Sequence, residues 1–351
     1  MGFSAVARSI YTTGHGESVD RTTLDDIRKA GEGGETGEAQ TPQTIVRTRD
    51  RMTDVPSPER LLTDAPPRRR ANDLPGDEWL RYSISVWSDI RKSAEELALG
   101  HPAMFPAMLC ERLMRMFLQQ GPRRILDPFL GSGSTLVAAR NLGMHGIGLE
   151  ISGEYIELAK SRLSQKCLFG DGAAAQTIHQ ADARQLRKFV KPESIDLCLT
   201  SPPYWDILNQ KRSADYKQLR HYGNLDADLG TIADYHAFLD ELAGVFRQVL
   251  DALRPGAYCV VVVMDLRKKS RFFPFHADLS SRLVEAGFLL DDMIIWDRGH
   301  EYNNLRPLGY PAVFRVNKVH EFVLIFQKPR APGTVDRSEV VNERGQAVEL
   351  S

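Results

Sequence analysis

The stretch Arg123–Ser152, RRILDPFLGSGSTLVAARNLGMHGIGLEIS, decides the fold. RRILDPF is a short apolar run, GSGSTLVAARNLG a glycine turn and helix closed by Gly143, and HGIGLEIS a second apolar run. Strand, turn, helix and strand in that order make one parallel crossover unit. Outward from it, GEYIELAKSRL supplies another helix, IHQAD a third strand, and SIDLCLTSPPYW a buried strand that runs into a Pro-Pro turn. On the N-terminal side HPAMFP feeds an amphipathic helix from Pro106 to about Gln120, with Met108, Leu109, Leu113, Met116 and Phe117 at helical spacing as its core face. Later come a helix from about Ile232 to Leu253, a Pro-Gly break at Pro255 and Gly256, the strand AYCVVVVMD, a helix around Ala277 to Ala286, and the strands DDMIIWD and HEFVLIFQK. The pattern predicts an α/β fold: a Rossmann-like, doubly wound, mostly parallel sheet of seven strands, with the last pair making an antiparallel edge strand.

Residues 1–76 read as a mostly disordered arm, because GEGGETGEAQ, APPRRR and their neighbours hold too little apolar surface to offset ordering entropy. Arg68, Arg69 and Arg70 in that arm read as a solvated cluster rather than as phosphate contacts. One folded domain with inserted loops is expected over 77–329, and a polar tail over 330–351. The whole chain, at 351 residues and 42% hydrophobic, is large enough for a substantial core. Its 45 basic and 46 acidic residues nearly cancel, so a nucleic-acid surface would have to come from local clusters. Cys110, Cys167, Cys198 and Cys259 lack metal-ligand spacing and read as buried free thiols of a reducing compartment, with no metal site expected. With no leader or membrane span in the sequence, a cytoplasmic protein is the expectation.

In open α/β sheets ligands bind beyond the carboxyl ends of the strands, where a glycine turn lets the backbone come close. Gly131 and Gly133 give DPFLGSGST that turn, and Ser132, Ser134 and Thr135 can cap the helix behind it. The third glycine of GxGxxG is missing, which counts against a nicotinamide cofactor. Glu150 ends the next strand, where a carboxylate accepts from both ribose hydroxyls of an adenosine. After the third strand, Asp182, with Asp171 as competitor, is placed to accept from an adenine amine.

In TSPPYW the two prolines remove two backbone donors and stiffen the turn, leaving the Ser201 side chain and the Pro202 carbonyl as fixed acceptors. Pro203 completes the turn, and Tyr204 and Trp205 offer flat faces that suit a base. A base amine is a poor nucleophile because its lone pair is delocalised into the ring. Two fixed acceptors for its hydrogens favour the pyramidal form and aim the lone pair, so catalysis is orientation and electrostatic preorganisation. The turn contains no cysteine nucleophile, which argues against chemistry at carbon 5 of cytosine. Reaching such a cleft from a duplex requires the base to flip out of the stack.

With HPAMFP, DPFLGSGSTLVAARNLGMHGIGLEIS, EYIELAKSRL, SIDLCLTSPPYW, LRPGAYCVVVV and IIWD on the page, Trp79 to Lys328 resembles the N4-cytosine and N6-adenine amino-methyltransferases of DNA. The resemblance implies S-adenosylmethionine as cofactor. It implies that His101, Pro102, Phe105 and their neighbours through Pro106 hold its methionine end, that Asp127, Phe129, Gly131 and Gly133 surround it, and that Ser201, Pro202 and Tyr204 grip the base. It also implies DNA as partner and a possible cognate restriction endonuclease. Ser201, in place of Asp or Asn, resembles the cytosine-N4 members, with adenine N6 as the alternative and an RNA or tRNA base as a remoter one. A non-catalytic DNA-binding protein on this fold would be expected to carry a damaged glycine or SPPY turn, and both are intact. In the subgroup most resembled, the catalytic half usually precedes the cofactor half, whereas here the cofactor half comes first. Target reading then falls to 206–229 (Lys211, Arg212, Lys217, Arg220, His221) or 298–318 (Arg306, Arg315, Lys318), and phosphate contact to Arg267, Lys268, Lys269 and Arg271.

Overall fold

The structure, a computed structural model, describes residues 70–99, 104–165, 174–205, 229–302, 305 and 307–330. Three helices precede the crossover unit: α1 (Gly76–Tyr82), α2 (Ala94–Ala98) and α3 (Ala107–Phe117), with the short strand β1 (Val86–Trp87) after α1. Next come β2 (Arg124–Asp127), α4 (Ser134–Asn141), β3 (His145–Glu150), α5 (Gly153–Ser164), β4 (Gln176–Gln180), a 3-10 turn (Ala183–Lys188) and β5 (Ile195–Thr200). The remainder is α6 (Tyr235–Ala252), β6 (Leu253–Val263), the hairpin β7 (Leu266–Lys268) and β8 (Arg271–Phe273), α7 (Phe275–Glu285), β9 (Leu289–Asp297) and β10 (His320–Gln327).

One sheet holds the strands in the order β1-β9-β10-β6-β5-β2-β3-β4. β10 runs antiparallel to both β9 and β6, and the other neighbours pair in parallel. The doubly wound, mostly parallel sheet is as expected, and two details differ. There are eight strands, because Val86 and Trp87 pair with Ile295 and Trp296. The antiparallel strand is not at the edge: β9 and β1 lie outside it. Two residues of pairing are too short to carry a periodicity.

Both faces of the sheet are covered, so its central strands are apolar on both sides. Along β6, Cys259, Val261 and Val263 belong to the core under α6 and α7, while Val260 and Val262 belong to the core under α1 and α3. Phe238, Phe246 and Val249 of α6 are wholly buried, each contributing roughly 1.5–3 kcal/mol of transfer free energy. Leu109 and Leu113 of α3 are core as expected, but Met108 is exposed, and Cys110 and Met114 take the buried positions beside them. Pro255 and Gly256 do not break the chain: β6 starts at Leu253 and absorbs them in a bulge against β5, with Gly256 at φ 78°.

Before Asp77, Asn72 and Leu74 are buried and the Asn72 amide donates to the Met116 carbonyl at 2.7 Å. Cys110, Cys198 and Cys259 are buried free thiols, and Cys167 lies outside the described residues. No described helix is long and apolar enough to cross a membrane.

Candidate active site

The carboxyl ends of β2, β3, β4 and β5 converge on a cleft of about 940 Å³, its open mouth included, lined among others by Phe105, Phe129, Gly131, Glu150, Asp182 and Tyr204. Ser132, Ser201, Pro202 and Pro203 also line it, so the glycine turn and the Pro-Pro turn open into one space. Order along the chain is immaterial here: β2 and β5 are neighbours and end at the same edge.

The glycine turn is shaped from below. Gly131 and Gly133 have φ of 52° and 84°, and a Cβ on Gly133 would lie 2.8 Å from the Ala159 Cβ of α5. Gly133 therefore serves helix packing and lies behind the lining. Thr135 is also behind it, wholly buried, with its hydroxyl donating to the Leu199 carbonyl at 3.4 Å. A buried Arg162 holds the turn from α5, donating to the Ser132 carbonyl and the Ser134 hydroxyl, both at 2.9 Å. Its other nitrogen meets the buried Glu96 carboxylate at 2.9 Å, and the same carboxylate oxygen accepts the Ala107 N–H at the start of α3. Met104 and Phe105, just before α3, are thereby tied to the glycine turn.

Glu150 lines the cleft and accepts from Gly131 N at 2.7 Å with one oxygen and from Ser152 N at 2.9 Å with the other. Burial pushes its carboxyl above the usual range, and the backbone N–H groups of Ser152, Gly131 and Ile151 oppose that shift. Asp182 lines the cleft at the head of the 3-10 turn, where Arg184 engages both of its oxygens. Asp127 is wholly buried beneath the lining. One oxygen accepts from the Thr200 hydroxyl at 2.6 Å and from Phe129 N at 3.0 Å, and the other has no partner. Burial raises its pKa to about 6, against the pull of those donors. A ligand bringing a vicinal diol, as S-adenosylmethionine does, fits a lining that carries the Glu150 carboxylate, and the unpartnered Asp127 oxygen lies buried beneath that lining.

At the end of β5, the Tyr204 hydroxyl donates to Glu321 Oε2 at 3.3 Å, and its ring meets Phe275 edge-on at 6.4 Å. Burial and the Glu321 charge push the phenol well up, so it stays a neutral donor. Glu321 is itself buried and paired with Arg298, which also binds Glu301. Sequence reading missed this set. Glu321 reaches the site because β10 is antiparallel, so its first residues lie where the parallel strands end. Trp205 is anchored by its indole N–H on the Ile232 carbonyl at 2.8 Å. His101, Pro102, Asp171, residues 206–228 and Arg306 lie outside the described residues.

The family described as DNA methylase, of the N6 and N4 type, matches residues 42–161 and 195–349, more than half of the chain. The chain belongs to this family of S-adenosylmethionine-dependent amino-methyltransferases. Both turns of the methylase cleft lie inside the matched segments. Among its relatives are three Type II methyltransferases. M2.LlaDCHI of Lactococcus lactis subsp. cremoris is 37% identical over 113 residues, 29% of this chain and 42% of that protein. M2.DpnII of Streptococcus pneumoniae is 40% identical over 106 residues, 27% and 39% of the two chains, and M.ScaI of Streptomyces caespitosus 42% identical over 89 residues, 25% and 28%. The methylase chain thus covers less than half the length of each of these relatives.

Proposed function

We propose that this methylase transfers a methyl group from S-adenosylmethionine to the exocyclic amine of a base in DNA. The observation that carries the reading is the single cleft shared by the glycine turn and the SPPY turn. When bound, S-adenosylmethionine supplies an electrophilic methyl group on a sulfonium. Phe105, Phe129, Gly131, Ser132 and Glu150 would hold it, with Gly133 and Thr135 shaping the turn from behind and Asp127 as the acceptor below. Asp182, which lines the cleft and is bound to Arg184, would accept from the cofactor's adenine amine.

The chain's own contribution to the reaction is orientation. The Ser201 hydroxyl oxygen and the Pro202 carbonyl accept the two amine hydrogens, and the Tyr204 ring covers one face of a flipped base. Glu321 and Arg298 hold the tyrosine hydroxyl, and so its ring, in place. Ser201 favours cytosine N4 by its likeness to that branch of the family. Adenine N6 is the alternative, since its amine offers the same two hydrogens to the same acceptors. A restriction endonuclease of matching specificity is the companion suggested by the Type II naming of the relatives.

The test is to digest DNA from cells expressing the chain to nucleosides and compare it by mass spectrometry with a Pro202→Ala control. N4-methylcytosine that depends on Pro202 supports the full reading. N6-methyladenine keeps the mechanism and replaces the base, and a methylated base in RNA alone overturns the DNA assignment.

A further inference from the structure

Two segments outside the cleft are one-sided in charge. LRKKSRFF at 266–273 and PLGYPAVFRVNKVH at 307–320 carry six lysines and arginines and no acidic residue, in a chain of net charge −1. The fold joins them into one surface. Arg315 Nη1 donates to the Ser270 carbonyl at the tip of the β7–β8 hairpin at 3.4 Å, and Lys318 Nζ lies 4.9 Å from the Phe272 ring centroid. The hairpin in turn sits on the catalytic turn: Lys268 Nζ is 4.1 Å from the Trp205 ring centroid, and the Trp205 and Phe273 rings are 5.0 Å apart. The basic surface therefore starts one residue beyond Tyr204.

The 307–318 segment also displays aromatic rings that the described chain does not cover. Phe314 is 92% exposed and Tyr310 is 78% exposed. The turn that carries them is closed on itself: Val313 N donates to the Gly309 carbonyl at 2.8 Å, and Gly309 has φ 78°, where a Cβ would lie 2.3 Å from the Val313 carbonyl oxygen. A closed turn that projects an apolar ring among cations, beside a base-binding cleft, matches what an extruded nucleotide leaves behind, a gap in the stack flanked by phosphates.

We propose that the β7–β8 hairpin and the 307–318 turn form one duplex-DNA surface, in which Arg267, Lys269, Arg271 and Arg315 engage phosphates and Phe314 enters the base stack beside the flipped target. This rests on the DNA reading above and adds to it the surface and the wedge. The cations position the duplex without reading sequence, and Phe314 lowers the cost of extrusion by restacking the neighbours of the vacated site.

Two measurements on the full chain test it. The first follows binding to a labelled random-sequence duplex by anisotropy across a salt series, and so is independent of methylation. Replacing Lys269 and Arg271 together by Ala should flatten the slope of log affinity against log salt by about 0.9 for each phosphate contact removed. An unchanged slope, or a slope that changes with an RNA hairpin and not with duplex DNA, overturns the surface. The second uses Phe314→Ala, with an unshifted thermal midpoint as the fold control, on a duplex holding the sequence that the intact protein methylates. Methylation of a paired target should fall about tenfold, the size of one lost stacking contact, while a mispaired and already unstacked target should stay close to the unsubstituted rate. Equal loss on both targets, or no loss on either, overturns the wedge. A chain with the expected salt slope that methylates no base supports the surface and counts against the function proposed above.

Discussion

The two halves of the cleft are built at different range. In the glycine-turn half the carboxylates are held mostly by near neighbours: Asp127 to Phe129 and Asp182 to Arg184 are two residues apart and Glu150 to Gly131 is nineteen, while Arg162 braces Ser132 and Ser134 from 30 and 28 residues on. In the Pro-Pro half they are remote: Trp205 to Ile232 spans 27 residues, Thr200 to Asp127 spans 73 and Tyr204 to Glu321 spans 117. The first half takes most of its shape from its own crossover unit, with Arg162 and Glu96 as longer braces. The second is a short turn with little to hold it until distant strands arrive. A local motif should tolerate changes elsewhere in the sheet, whereas the turn should depend on them.

The sharpest way to break this comparison is Ser201→Ala. Loss of a preorganised acceptor should lower turnover by roughly 10²–10³, with cofactor affinity by calorimetry within about twofold of the parent protein. Parallel losses of turnover and cofactor affinity would mean that the halves are not separate.

Next in size is the pH response of Asp127. Its folded pKa, raised to about 6 from 3.8, means that the folded state holds the proton more tightly than the unfolded chain. This contribution is therefore most favourable below the unfolded value and is lost as pH rises towards about 6, on the order of 2–3 kcal/mol across the window. Urea denaturation between pH 4 and pH 7 should show that fall in the parent protein, and Asp127→Asn should remove it.

Glu150→Gln should weaken cofactor binding about tenfold or more, because a charged acceptor becomes an amide that faces two backbone N–H groups. Turnover at saturating cofactor should be nearly unchanged, the reverse of the Ser201 result.

The smallest effect is expected for the remote brace. Tyr204→Phe and Glu321→Ala should each lower turnover several-fold, about 1 kcal/mol for the lost hydrogen bond, and the double variant should be no worse than the poorer single one. Additive losses would show that Glu321 acts on the site by another route than the tyrosine.

The order of strands and helices from Arg123 to Thr200 was legible because each element there carries its own period and its own turn, and residues close in sequence satisfy one another. DPFLGSGST, Glu150 and SPPY could be read as a cleft for the same reason: each sits where a strand ends, and strand ends share an edge in a parallel sheet. Sequence alone thus determined the fold class, the family and which turns meet at one edge of the sheet. What the tertiary structure decided is which distant side chains support them. Placing β10 antiparallel inside the sheet brings Glu321 and Arg298 to Tyr204. Burial of Arg162 against Glu96 ties α2 and α3 to the glycine turn. The 266–273 hairpin seats Lys268 on Trp205. None of these pairings leaves a trace in local periodicity, because a salt bridge or a stacked ring is set by where two strands meet, and that depends on the packing of the whole sheet.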